Sequence, residues 1–227
     1  MGSLELVNSD THATVRMRAA GEGSGPFVRV VLSEFSTAAV ACPLLLSKRA
    51  DTGAFYVGAL MGFKAGEVLT DAPDGKSAFR PLEAARAGFF AVEDNIALDR
   101  AHERFAGPGG ESLFDHEGRP TAPMQAAQVA LGRLMAGEEA TQAFIAELLS
   151  YRLIEPIDVS LNFDDGERLR LDGLYTVSLD ALGELDDAAV IDLFRAGHLQ
   201  CAYAMITSLQ HIALMARRRN ERLASML

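Results

Sequence analysis

The chain has 227 residues, 49% of them apolar and 23% charged, which is enough for a sizeable hydrophobic core and ordinary for a globular protein. Its formal net charge of −10 argues against a general nucleic-acid or membrane-surface binder, because phosphate contacts need clustered Lys and Arg. The opening MGSLELVNSD lacks the basic start and apolar run of a secretory signal, and no stretch of about 18 apolar residues predicts a membrane span, so the expected location is cytoplasmic.

In chain order, residues 12–19 (HATVRMRA) alternate enough for a strand and are broken by GEGSGP. The Gly21-x-Gly23-x-Gly25 run lacks the later spacing and the following Lys-Ser/Thr of a phosphate loop, so it reads as a surface turn. Residues 27–41 predict a strand running into a short helix capped by Ser33 or Ser36. Residues 42–69 are the piece the rest of the chain is arranged around: one strand over 42–47, a polar turn over 48–53 and a second strand over 54–64. Gly58 and Gly62 in the second strand predict a bulge or the close approach of another backbone or a ligand. Cys42 and Cys201 sit in apolar context without a CxxC pair, so they read as buried thiols of a reducing compartment, with a disulfide between them as the alternative, and no metal site is expected.

The loop TDAPDGKSAFRP carries two aspartates but not the ligand spacing or terminal Glu of a calcium loop, and reads as solvated. Residues 82–98 predict another core strand around Phe89, Phe90 and Val92, with Asn95 near a turn. Residues 99–120 gather His102, Glu103, Asp115, His116 and Glu117. These residue types bind metals and exchange protons, but none lies at ligand spacing on a helix. Thr121 opens a helical region with Pro123 in its first turn, and Gly132 and Gly137 split it into two shorter helices before Glu155-Pro156 ends it.

Residues 156–174 are the clearest hairpin, with Ile157, Val159, Leu161 and Phe163 alternating with polar residues and Asp164-Asp165-Gly166 at the turn. The adjacent aspartates are turn chemistry rather than a catalytic pair. Asp186 caps a helix that stops at Gly197. A last helix runs from His198 through residue 223, with an apolar seam of Leu199, Ala202, Ile206, Leu209, Ala213 and Ala216. Arg217, Arg218, Arg219 and Arg222 read as its solvated basic end, and His211 as a core or boundary histidine.

The segments CPLLLSKRADTGAFYVGALMGFKAGEVL, ATQAFIAELLSYRLIEPIDVSLNFDDGERLRLDGLYTVSLDALGEL and DLFRAGHLQCAYAMITSLQHIALM together resemble the SapC family of bacterial proteins. The most specific parts are Leu171-x-Gly173-Leu174-Tyr175-x-Val177, Gly197-x-Leu199, Tyr203-Ala204 and Ser208-Leu209. The resemblance implies a soluble protein of about this length, tied to nutrient or peptide uptake or modification, with no catalytic residues to carry across. Two departures stand out. Relatives usually have a Trp and a Tyr-x-Pro…Arg-Arg-x-Pro-Phe segment where this chain has Phe79-Arg80-Pro81…Arg86-Ala87-Gly88-Phe89 and no Trp, and they tend to carry His where this chain has Met205.

The expectation is a single α+β domain over residues 1–227, its first 26 residues partly irregular. An antiparallel sheet built from the hairpins is covered by helices of residues 121–150 and 187–222. The leading function is a binding or regulatory protein that contacts a protein partner or small ligand, without cofactor, and the C-terminal helix offers a homodimer surface. An enzyme acting on small peptides or amino-acid derivatives is the alternative, with Arg80 and Arg86 as carboxylate clamps beside His102 and His116. A surface-layer protein is a third reading, from the family name alone.

Overall fold

A computed structural model describes residues 4–18, 25–71, 78–106 and 109–225. Gly21, Gly23 and Asp74, from the two glycine- and aspartate-bearing loops, lie outside these described residues. The chain gathers into two compact units, one of Gly25–Phe79 with Gly137–Leu227, the other of Met1–Ser24 with Arg80–Ala136. Helices and antiparallel sheets are mixed in an α+β fold, and every strand pairing among the described residues is antiparallel.

The larger unit is built on a five-stranded sheet in the order Phe27–Arg29, Phe55–Leu60, Leu44–Lys48, Leu174–Val177, Ile154–Pro156. The central hairpin pairs Leu44 with Ala59 through Lys48 with Phe55, and its turn is closed by Arg49 N–H to the Ala54 carbonyl at 2.9 Å. Leu44, Leu45 and Leu46 are all fully buried because both faces of this strand are covered. Leu44 and Leu46 pack with Phe144, Ile145, Leu148, Leu193 and Met205; Leu45 packs on the other side with Phe163, Leu171, Ile212 and Met215. Gly58 marks a close approach, since a Cβ there would lie 2.5 Å from the Phe27 ring. Gly62 does too, but against backbone: its Cβ would lie 2.0 Å from the Glu67 carbonyl oxygen. The second predicted hairpin lends only its outer ends to this sheet, and its middle, Ser160–Asn162 with Arg168–Arg170, is a separate two-stranded ribbon.

Three helical expectations are corrected. Residues 122–150 form one helix, Ala122–Ser150, not two. Gly132 faces open space, and Gly137 admits Val31, whose Cγ2 would lie 2.8 Å from an added Cβ. The helix ends at Ser150, the bound expected, ahead of Glu155-Pro156. Leu153 N–H reaches the Leu148 carbonyl and Arg152 N–H the Leu149 carbonyl, with Arg152 at φ 55, a Schellman ending. The last helix is two, His198–Ser208 and Gln210–Ser225, because Ala202 and Met205 serve the core on one side of the sheet and Ile212 and Met215 the core on the other. The predicted seam is taken up inside the unit except at Ala213, which is exposed: Ala202 is buried, and Leu199, Ile206, Leu209 and Ala216 pack against these cores. Neither Ser33 nor Ser36 caps the short helix Phe35–Ala38 and the turn before it. The Glu34 carboxylate accepts from Val31 N–H at 3.1 Å, and Thr141 Oγ1 from Leu32 N–H at 3.0 Å.

The smaller unit holds a three-stranded sheet in the order Leu4–Leu6, Asn95–Asp99, Phe89–Val92. Its core contains Val15, Met17, Phe89, Leu98, Leu113, Met124 and Ala127. Of the predicted strand over residues 12–19, Arg16–Met17 is the strand among the described residues 12–18, paired with Glu111–Ser112. The strand expected around Phe89, Phe90 and Val92 is Phe89–Val92, and the chain turns just before Asn95, at Glu93 where φ is 52, into a second strand, Asn95–Asp99; ahead of them Leu82–Arg86 is a short helix. Phe89 points into the core, while Phe90 and Val92 lie at the surface.

Candidate functional site

The four residues nominated for ligand chemistry are held by local structure in different ways. Arg80 is exposed. Arg86 is committed: Nε donates to Glu83 at 2.5 Å, Nη1 to the Phe89 carbonyl at 3.1 Å, and the guanidinium lies 5.3 Å from the Phe90 ring centroid. His102 caps the turn that follows it, with Nδ1 accepting from Arg104 N–H at 3.2 Å. Its ring lies so close to Gly88 that a Cβ there would sit 3.1 Å from His102 Cγ. His116 projects into solvent 3.6 Å from Glu117. Beside it, Asp115 accepts from the N–H groups of Glu117 and Arg119 and from Arg119 Nε, all at 2.9 Å. The Arg119 backbone N–H is the largest cause holding the Asp115 carboxyl below its usual range.

Two buried arginines are stronger organising centres than any of these four. Arg104 sends Nη1 to the carbonyls of Ala85 and Ala87 at 2.9 and 3.0 Å, and Nε to the Arg18 carbonyl at 3.3 Å. It thereby satisfies the C-terminal carbonyls of the Leu82–Arg86 helix, and burial lowers its pKa. Arg219, expected at a solvated basic end, is buried instead. Its guanidinium lies 4.1 Å from the Phe163 ring centroid, 2.6 Å from Glu167 and 3.4 Å from Glu67. Lys64 bonds the same Glu167 carboxylate at 2.6 Å, and these cations hold Glu167 below the usual carboxylate range. Its neighbours are ties as well: Arg218 donates to the Leu69 carbonyl at 2.7 Å and Arg222 to the Val68 carbonyl at 2.6 Å. His211 sits at a boundary with Nε2 3.0 Å from the Ala39 carbonyl. Both thiols are free; burial, aided by the Glu34 charge, pushes Cys42 up to about 12.

One surface combines apolar exposure with unneutralised charge. The helix Asp187–Ala196 begins with the Asp186 carboxylate accepting from Ala189 N–H at 2.8 Å and ends at Gly197, φ 76. Ala189 and Leu193 turn inward, which leaves Ile191 and Phe194, three residues apart, on the outer side. Phe194 is 71% exposed and Ile191 45%. Asp187 lies on the same face, four residues before Ile191, and Asp180, Glu184 and Asp192 are exposed elsewhere on this helix and the short one before it. Partial burial and then the nearby charges of Asp192, Glu147 and Asp186 raise the pKa of Tyr151, at the end of Ala122–Ser150. Glu147 is itself bonded to His198 Nδ1.

Among the described residues no helix is long and apolar enough to cross a membrane. The model of the SapC family matches residues 7–215, the greater part of the chain. No curated protein and no solved structure matches it.

Proposed function

We propose, for a chain that belongs to the SapC family, that it acts in the cytoplasm by binding a protein partner engaged in nutrient or peptide uptake or modification, and that it performs no catalysis itself. The observation that carries this reading is how the side chains divide. Two of the groups best suited to proton transfer or carboxylate capture, His102 and Arg86, have polar atoms committed to neighbouring backbone, whereas two large apolar side chains, Ile191 and Phe194, face outward on one helix. Exposed apolar side chains gathered on one face mark an interaction site.

The test is a thermal-shift screen of the purified chain against metals, cofactors, amino acids and short peptides, with each incubation assayed for conversion. A ligand at about 100 times its Kd adds about 2.7 kcal/mol to the folded state and raises the melting temperature by several degrees. The expected result is a flat screen together with saturable retention of one partner protein on the immobilised chain. A ligand that both stabilises the chain and is converted by it would replace this reading with an enzyme acting on small peptides or amino-acid derivatives.

A further inference from the structure

We infer that the outer face of the Asp187–Ala196 helix is a docking surface for a basic amphipathic helix of another protein. An apolar side chain of that partner seats over Phe194 and Ile191, and its Lys or Arg side chains reach Asp187 and the other carboxylates of this stretch. The inference rests on the partner-binding reading and adds the place and the chemistry.

The charge around this face selects the partner. Residues 179–196 contain five carboxylates, Asp180, Glu184, Asp186, Asp187 and Asp192, against one cation, Arg195. No ion pair joins any of these five to a cation among the described residues. Isolated apolar residues at a surface are common and carry no message. Here two lie on one helix face with Asp187, in a stretch where five carboxylates face one cation, Arg195, so the complementary surface is apolar at its centre and mainly cationic at its edge.

A second copy of this chain is a poor occupant. Its densest basic stretch, Arg217 to Arg222, is already used: Arg218 and Arg222 hold backbone carbonyls, Arg219 is buried between two glutamates, and Arg217 pairs with Glu221. Two chains of net charge −10 also repel before they meet. The cations must come from elsewhere.

The experiment is a backbone-amide NMR titration of the full chain with a synthetic amphipathic helical peptide of leucine and lysine, run beside a counterpart in which glutamate replaces lysine. The expected shifts cluster on residues 187–195 and weaken as salt is raised. Phe194→Asp should weaken binding by about tenfold, the size of a central apolar anchor. The pair Asp187→Asn and Asp192→Asn should flatten the salt dependence. Both changes are on exposed side chains, and an unchanged amide spectrum elsewhere verifies the fold. Shifts centred on another surface, equal binding of the glutamate peptide, or indifference to Phe194→Asp would each overturn the inference. Broadening of residues 187–195 with protein concentration, in the absence of peptide, would overturn it in favour of a second copy. The partner-binding reading is tested separately: if one partner is retained but residues 187–195 do not respond, the surface is wrong and the reading stands.

Discussion

Arg219 illustrates how one buried charge is held, and at what cost. Its Nη1 is buried without a partner, so part of the guanidinium's hydration is not replaced. Against that stand two carboxylates, one of them at 2.6 Å, and an aromatic face at 4.1 Å. Breaking a fully buried pair from one side costs about 3–5 kcal/mol. The Glu67 and Glu167 side chains retain 20% and 29% exposure, and Lys64 remains on Glu167, so both carboxylates are partly rehydrated or re-paired when the arginine goes. Arg219→Met should therefore cost about 2 kcal/mol in urea unfolding. Arg219→Lys should recover less than half, because an ammonium cannot fork between two carboxylates while lying flat on Phe163. A loss below about 0.5 kcal/mol for the methionine variant would mean that the orphaned nitrogen cancels the pairing.

At the scale of elements, what the sequence disclosed depended on how far away each cause lay. The two hairpins and the Asp186–Gly197 helix were legible because their turn residues and caps act within a few positions. The unity of Ala122–Ser150 was not: Gly137 looks like a break until Val31, more than a hundred positions earlier, is seen to occupy its missing side chain. The interruption at Leu209 was hidden too, because a regular seam does not reveal that its halves serve opposite faces of one sheet. Among the nominated residues, His102 was visible as a titratable group, but its role as a cap was not, and nothing in the local pattern marked Arg104 or Arg219 as buried. The surface at Phe194 was present in AAVIDLFRA, yet periodicity alone does not say which apolar positions a core leaves unused. The end of the long helix carries a prediction of its own. Arg152 holds a left-handed conformation at the position where glycine is usual, and Leu148 and Leu153 pack together in the core on either side of it. Left-handed backbone costs a non-glycine residue about 1–2 kcal/mol, and glycine's greater freedom when unfolded returns about 0.5–1 kcal/mol of that. Arg152→Gly should raise stability by about 0.5 kcal/mol, read as a higher urea midpoint with an unchanged m-value.

For the whole molecule, stability should have an acid limb and an alkaline limb set by different chemistry. Glu167 and Asp115 are held below their ordinary carboxylate values in the folded chain. A depressed folded pKa gives stability that is present above the unfolded value and is lost as pH falls through the folded one. Both groups lie toward the surface, so added salt should blunt this limb. On the alkaline side Cys201 and Tyr151 are raised as well, and the largest contribution comes from Cys42, whose pKa rises from 9.0 to about 12 through burial and the Glu34 charge. Below pH 9 the thiol is protonated in both states and contributes no slope. Above it the unfolded chain sheds the proton while the folded chain keeps it, so stability falls with rising pH by up to about 1.4 kcal/mol per unit. Cys42→Ala removes this slope but also deletes a buried sulfur, so its stability at pH 7 should be lower by about 1 kcal/mol while its decline between pH 9 and pH 11 is shallower than that of the parent chain. Salt should leave the difference between the two alkaline slopes unchanged, because Cys42 is buried beyond the reach of screening ions. Urea midpoints of the two chains across pH 3 to 11, at low and high salt, separate these limbs. Parallel alkaline declines would show that the Cys42 thiol ionises in the folded chain as readily as in the unfolded one.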